Sequence, residues 1–265
     1  MCCFSGPIQQ VSATNLFARA VGGRQLLAYG MEVAARKPVA MILPLPVPPG
    51  SGEDALRFVD LSGYPKLFED LGSGFPAVYV SREVNEQPSR GGMRQQALVV
   101  HEVGDFVASF VPRVADFARL DRRFRLADSV WRALPQYADW GFAVFALKDL
   151  GGGWLSRRIR PKRIHPMAFE FPRRHDADGA LFMPTVHVHD GEVHARAEFD
   201  HTMYYQADAA LRGEFDARAV TQTAERAVGT FVEVRRTAGL IDAGAPVHRL
   251  IVRGEHPNRD TWLRA

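Results

Sequence analysis

The sequence predicts an α+β protein, a mainly antiparallel sheet with a few packed helices, in a single globular domain over residues 1–265. Three observations lead there. Strand-like and helix-like runs are grouped rather than strictly alternating, which argues against a parallel βαβ architecture. Short apolar runs are separated by turn residues such as Gly22-Gly23 and Ala35-Arg-Lys-Pro38. At 46% hydrophobic and 24% charged residues, the chain is long and apolar enough for a sizeable core.

The first half reads as a meander of strands over Asn15–Ala20, Gln25–Val33 and Val39–Leu45. The third of these is continuous rather than alternating, which predicts burial on both faces. Its prolines cannot donate to a ladder, so the strand is expected to end near Leu43. Glu53–Phe58 and Tyr64–Leu71 are expected as short helices, and Pro88–Met93 as a polar loop. Gln96–Val103 and Phe106–Val111 read as strands around a Gly104-Asp105 turn. A helical stretch from Val114 to about Ala138, broken near Asp121, repeats Leu126, Val130, Trp131 and Leu134 at core-packing spacing. Trp140–Leu147, Ile164–Phe171, Phe199–Tyr205 and Val247–Val252 complete the strands, and Asp208–Phe231 reads as helical.

Composition narrows function. A net charge of +3 falls well short of a dedicated nucleic-acid footprint. Arg157–Arg163 carries five cations in seven residues but no interleaved aromatics, which suits a solvated linker better than a base-stacking surface. Gly151-Gly-Gly153 is not followed by Gly-Lys-Ser/Thr and is no phosphate loop. The two cysteines, Cys2 and Cys3, are adjacent and cannot staple distant segments. No run approaches the roughly 18 apolar residues of a membrane span, and no signal-peptide pattern opens the chain. A soluble cytoplasmic protein is expected, and its partners are not specified.

Chemistry is suggested by Pro184-Thr-Val-His-Val-His-Asp-Gly-Glu-Val-His-Ala-Arg-Ala-Glu-Phe199. Asp190-Gly191 is a two-residue turn signal between alternating flanks, which predicts a β-hairpin. In that register His187 faces His194, and His187, His189, Glu192 and His194 project from one face. Val186, Val188 and Val193 take the other. Neutral imidazole ligates zinc and similar divalent metals at about 2.0–2.2 Å. His187, His189 and His194 are therefore candidate metal ligands, with Glu192 as a fourth ligand or a general base for a bound water. The implied activity is metal-assisted hydrolysis or hydration. A solvated hairpin face in a non-enzymatic binding or scaffolding domain is the competing reading. His165 and His201 share faces with apolar neighbours and read as hydrogen-bonded core residues.

A third reading concerns Cys2. Removal of the initiator methionine would leave a thiol and a free α-amine on one residue, the logic of N-terminal-nucleophile amidohydrolases. Leu16-Phe-Ala-Arg19 resembles a stretch that follows the nucleophile in the cysteine-type members of that superfamily, which would make Cys2 the nucleophile and Arg19 a site residue. The polar residues expected after the arginine are replaced by Ala20-Val-Gly22, and Gly6-Pro7 interrupts the first strand.

Several segments together resemble a bacterial family known as a domain of unknown function, whose members are commonly exported or membrane-anchored. They are Cys2-Cys3-Phe4, Ile42-Leu-Pro-Leu-Pro46, Val103-Gly-Asp-Phe106 and Tyr137-Ala-Asp-Trp-Gly-Phe142, within about the first 150 residues. The resemblance implies strands with a packed helix and carries over no catalytic residues.

Overall fold

The computed structural model describes residues 3–76, 101–103, 106–147, 162–174, 179–215 and 219–265. In chain order the strands are β1 (Cys3–Phe4), β2 (Gln10–Val21), β3 (Arg24–Ala34), β4 (Val39–Leu45), β5 (Arg57–Val59), β6 (His101–Val103), β7 (Phe106–Val111) and β8 (Gly141–Leu147). They continue with β9 (Lys162–Arg163), β10 (Met167–Pro172), β11 (Leu181–Met183), β12 (Arg196–Gln206), β13 (Val220–Thr223), β14 (Val247–Pro257) and β15 (Thr261–Leu263). The helices are α1 (Leu67–Ser73) and α2 (Asp128–Ala133), joined by short 3-10 turns.

A larger sheet runs β13-β14-β12-β2-β3-β10-β5, with β9 also beside β3. A smaller sheet runs β1-β4-β8-β7-β6, and β11 pairs with β15. The pairing is antiparallel except between β2 and β12, which are parallel. The architecture is thus strand-dominated, with few and short helices and one mixed sheet.

Burial explains how the sheets are arranged. One apolar cluster draws on alternate residues of both sheets: Leu16 and Ala18 of β2, Leu27 and Tyr29 of β3, Met41 and Leu43 of β4, Phe145 of β8, Phe169 of β10, and Met203 and Tyr205 of β12. The sheets therefore stack as a sandwich with their inner faces interdigitated. The other face of the larger sheet, with Phe17, Ala28 and Tyr204, lies under Tyr64, Leu67, Leu71, Val228 and Ile241. Gly30 permits this close cover, because a Cβ there would stand 2.6 Å from the Phe68 ring. The other face of the smaller sheet, with Ala40, Ile42, Phe142 and Val144, lies under Phe117, Leu126, Val130 and Leu134. The central strands of each sheet are covered on both sides, while edge strands such as β13 and β6 stay largely exposed.

Four expectations change. β4 does not stop at Leu43 but pairs with β8 through Leu45. The reason lies in its other neighbour: β1 reaches only Met41 and Ile42, so Pro44 falls where β4 is an edge and a missing N–H is tolerated. Glu53–Phe58 does not form a helix. Arg57 and Phe58 instead join β5, where Arg57 holds Glu170 of β10 through two 2.8 Å bonds and Phe58 packs on Phe145 and Phe169. The stretch after Val114 breaks into 3-10 turns and α2, with Asp121 capping Arg123 N at 3.0 Å, while Leu126, Val130 and Leu134 are buried as their spacing predicted. Asp208–Phe231 is not a helix in its described residues. Leu211 is tied at both N and O to the Tyr205 hydroxyl, and Val220–Thr223, with three β-branched residues in four, pairs with β14. Pro88–Met93, the Gly104-Asp105 turn, Gly151–Gly153 and residues 157–161 of the basic run lie outside the described residues.

The double burial of β4 sets a stability expectation. Ile42, fully enclosed between β1, β8 and the α2 layer, should lose about 2–5 kcal/mol of folding stability on truncation to alanine. Chemical denaturation measures it, and a loss under about 1 kcal/mol would mean that this layer does not pack as described.

Candidate functional site

The segment Pro184–Ala195 forms no hairpin ladder of its own. Val188 pairs with Cys3 in a parallel bridge, and Phe4 N donates to Val188 O at 2.9 Å, so the segment extends the smaller sheet beyond β1. Asp190 and Gly191 do make a turn, with Gly191 at φ 90° and Asp190 Oδ1 accepting from Glu192 N at 3.0 Å. The chain beyond that turn makes no ladder with the stretch before it; Asn258 stands between the two, bonded to the carbonyls of His187 and His194. It leads instead into β12, which is paired with β2 and β14.

Side chains from the β14–β15 turn hold the segment in place. Asp260 Oδ1 accepts from Thr185 N at 2.8 Å and Val186 N at 3.1 Å, while its Oδ2 accepts from the Tyr137 hydroxyl at 2.5 Å. Asn258 accepts from His187 N at 2.7 Å and donates to the carbonyls of His187 and His194, each at 2.9 Å. A segment with irregular neighbours must still satisfy its buried N–H groups, and these two side chains do so. Burial pushes the Asp260 carboxyl up to about 6. It also raises the Tyr137 hydroxyl.

The alternation within the segment sorts its side chains. Val186 and Val188 join the outer cluster of the smaller sheet with Cys3, Ala40 and Ile42. His187 and His189 point the opposite way, toward the space between the sheets, where they meet Phe4, Phe199 and His201. The His187 ring stands 5.2 Å from His189, 5.3 Å from His201 and 4.5 Å from Phe199, centroid to centroid. The planes are nearly parallel, at 17° to His189 and 27° to His201. His201 is fully buried and His187 almost so. His189 keeps partial exposure, but its Nε2 is closed off from solvent and has no hydrogen-bond partner among the described residues. Burial holds all three imidazoles in the neutral form. It lowers His187 and His201 far below the usual range and His189 to about 3.

The sequence-derived set is therefore only partly brought together. His187 and His189 share the interior site. His194 is exposed and bonded to Asp190 at 2.8 Å, which raises its pKa, and Glu192 is exposed at the turn. The expected cross-strand pair of His187 and His194 is replaced by His187 and His201. The physical reason is that pairing with β1 and the two clamps outcompete a local hairpin ladder. From the sequence His201 reads as a lone core histidine. Its signal was the Phe199-x-His201-x-Met203 alternation, which puts it on the inner face of β12. Arg19 is committed to Asp242 at 3.0 Å and to the Gly239 carbonyl at 2.9 Å. Its proposed companion Cys2 lies outside the described residues, while Cys3 is a buried free thiol.

Fold and site together define a two-sheet sandwich with a histidine cluster between its sheets. No family model matches the chain, and no curated protein does. Two solved structures show a likeness at full length. The baculovirus p35 crystal structure aligns at 11% identity and TM-score 0.42, covering 100% of this chain and 99% of that one. The caspase-8/p35 complex aligns at 11% identity and TM-score 0.43, covering 96% of each chain. A likeness this slight carries neither fold nor function across. Among the described residues, no helix is long and apolar enough to cross a membrane.

Two outcomes test this geometry. Histidines that are neutral when folded bind protons on unfolding between their depressed pKa and about 6.5, so their stabilising effect is present above about pH 6.5 and is lost as pH falls through that window. Each contributes up to about 1.4 kcal/mol per pH unit. Asp260 opposes them, since a raised carboxyl gains stability on acidification between about 6 and its unfolded value. His194, raised by Asp190, opposes them too, but it is exposed and its effect is small; three buried or half-buried groups against these two give a net loss. Urea midpoints should fall between pH 7 and pH 5, and a flat profile would show that the imidazoles are not buried in the neutral form. Asp260→Ala should be strongly destabilising, by several kcal/mol, because it strands two buried N–H groups and a hydroxyl at about 1–3 kcal/mol each. A denaturation curve close to wild type would show that the clamp does not hold the segment.

Proposed function

We propose that this protein binds a divalent transition metal, zinc or one like it, through His187, His189 and His201. The observation that carries this reading is the collection of three neutral imidazoles, two buried and one half-buried, from two separate elements, each neighbour within 5.3 Å of the His187 ring. Neutral imidazole is the ligating form, and nitrogen ligands sit about 2.0–2.1 Å from zinc, so rings on one ion lie about this far apart. The unpartnered Nε2 of His189 further supports it. In the present arrangement the near-parallel rings do not converge, and no group of three His, Cys, Asp or Glu side chains among the described residues stands ready to hold an ion. Binding therefore includes rotation of at least one ring about χ2, a broad and soft torsion for histidine.

The depth of the cluster supports a structural ion in a non-enzymatic binding or scaffolding domain, fastening the 184–189 segment into the sandwich. A second reading rests on the ligand count. Three protein ligands leave a fourth position in which a water can be activated, which suits hydrolysis or hydration. Glu192, exposed at the turn, is not placed to act as base there.

The test is metal content and thermal stability. Purified protein should carry or take up about one zinc per chain, and zinc at a hundredfold over Kd should add about 2.7 kcal/mol of stability. Volume-conserving His187→Gln and His201→Gln should abolish both effects. Wild-type protein that neither holds nor takes up zinc, with an unshifted melting curve, would end the metal reading.

A further inference from the structure

The two sheets end differently at their edges. The smaller sheet is closed beyond β1 by the clamped 184–189 segment, whose remaining backbone donors go to Asp260 and Asn258. Its other edge strand, β6, meets β5 of the larger sheet through His101 and Phe58, at 5.4 Å between ring centroids. β13, at the far end of the larger sheet, pairs with β14 on one side and with no described strand on the other. Its sequence, Val220-Thr-Gln-Thr223, holds no charge, no proline and no glycine. Edges are usually guarded by charge, proline, a bulge or shortness, and β13 has shortness alone. Val220 is 50% exposed, one of two large apolar side chains left so open among the described residues.

The register of β13 with β14 shows which backbone groups face outward. Ala224 N donates to Val247 O at 2.9 Å, so Ala224 and Val247 form a hydrogen-bonded pair. In an antiparallel ladder such pairs alternate with pairs whose groups point away. Gln222 with Arg249 and Val220 with Ile251 are then the bonded pairs, and Thr221 and Thr223 aim their N–H and C=O at the open edge. Among the described residues no backbone group meets them there. The side chains divide in the same way. Thr223 Oγ1 holds His248 Nδ1 at 2.9 Å, while Gln222 accepts from Arg249 at 3.1 Å and Ala224 packs on the outer cluster of the larger sheet.

We propose that β13 is a self-pairing edge, through which two copies of this chain join antiparallel about a two-fold axis at Gln222. The strand itself selects a second copy as its partner. Thr221-Gln-Thr223 reads the same in both directions, so the axis sets Thr221 of each copy against Thr223 of the other. Every outward N–H of one copy then finds an outward C=O of the other. Threonine opposite threonine is a favourable cross-strand pair, and no like charges oppose each other within the strand. Two-fold pairing of one patch with itself is the commonest way in which identical chains associate. Val220 of one copy stands opposite Ala224 of the other, beside an open hollow of about 460 Å³ lined by Phe75, Pro76, Gln222 and Arg226 among others. The exposed apolar side chain is thereby covered. The contact is small, so the dimer is weak and depends on concentration.

The experiment is sedimentation equilibrium of the full chain from low micromolar to several hundred micromolar protein. Wild type should rise from the monomer mass toward twice that mass. Thr221→Pro removes a donor that the fold does not use, and should stay monomeric throughout with a melting curve close to wild type. Val220→Lys supplies the missing edge charge with every backbone donor in place, and should shift dimerisation to higher concentration. Single cysteines read the register after mild oxidation and mass mapping. Gln222→Cys should link to its own copy across the axis, where the Cα atoms of such a pair lie about 4.5 Å apart. Val220→Cys, offset along the strand from its own copy, should not link. Should Thr221→Pro fail to fold, Val220→Lys and the two cysteine variants decide. A wild type that remains monomeric at every concentration would overturn the proposal, even if the edge captured a strand from another protein. Dimers that persist unchanged in both Thr221→Pro and Val220→Lys, or that link at 220 and not at 222, would place the contact elsewhere and overturn it as well.

Discussion

The Asp260 carboxylate is the interaction on which the interior site depends. The Pro184–Ala195 segment is paired on one side only, through Cys3, Phe4 and Val188, and its other backbone donors are buried where a second strand would lie. Asp260 and Asn258 supply the missing acceptors, and Tyr137 orients Asp260 from the opposite layer. Burying a carboxylate is expensive unless it is hydrogen-bonded, and this one accepts three bonds. The arrangement spends one buried charge to run an irregular chain through the molecule. Its consequence is that His187 and His189 are carried inward instead of lying on a solvated ribbon.

Burial of both faces of both sheets accounts for most of the remaining design. The unbroken apolar run of β4, the bare Gly30 beneath Phe68 and the aromatic packing of Phe145, Phe169 and Phe58 all follow from inner and outer faces that must both be filled. With water excluded from both sides, a polar side chain between the sheets has few partners to choose from. That is why the histidines stack on each other and on Phe199, and why they stay neutral.

Much of this was legible in the sequence, and the failures share one cause. The alternation of Val186 and Val188 against His187 and His189 correctly predicts two faces, because side-chain period is a local property of extended chain. The choice of partner strand is not local. The Val188 carbonyl is claimed by Phe4 and the His187 amide by Asn258, residues far away in the chain that no turn dipeptide reveals. His194 follows the same logic: beyond the Asp190-Gly191 turn the chain leaves the site, and the imidazole settles on the nearest carboxylate. The sequence of β5 reads as helical for a related reason, since Arg57 and Phe58 owe their extended form to Glu170, Phe145 and Phe169. β2 shows the limit of pattern reading most clearly. Its register with β3 slips by one residue at Ala13, which has φ 53°, so counting by twos predicts the faces beyond it only if that bulge is already known.

The interior cluster poses an energetic question that its geometry partly answers. Each neutral imidazole brings one donor and one acceptor into a space walled by phenylalanines. Ring stacking at 4.5–5.3 Å recovers dispersion but leaves the ring nitrogens to find partners of their own. A purely structural core could have met the same shape with phenylalanine or leucine and avoided the desolvation that holds His189 near 3. Polar groups retained at that cost are expected where specificity rather than stability set the residue type. The elements involved come from both sheets, β12 of one and the extension beyond β1 of the other, so the stacked rings themselves tie the two sheets together.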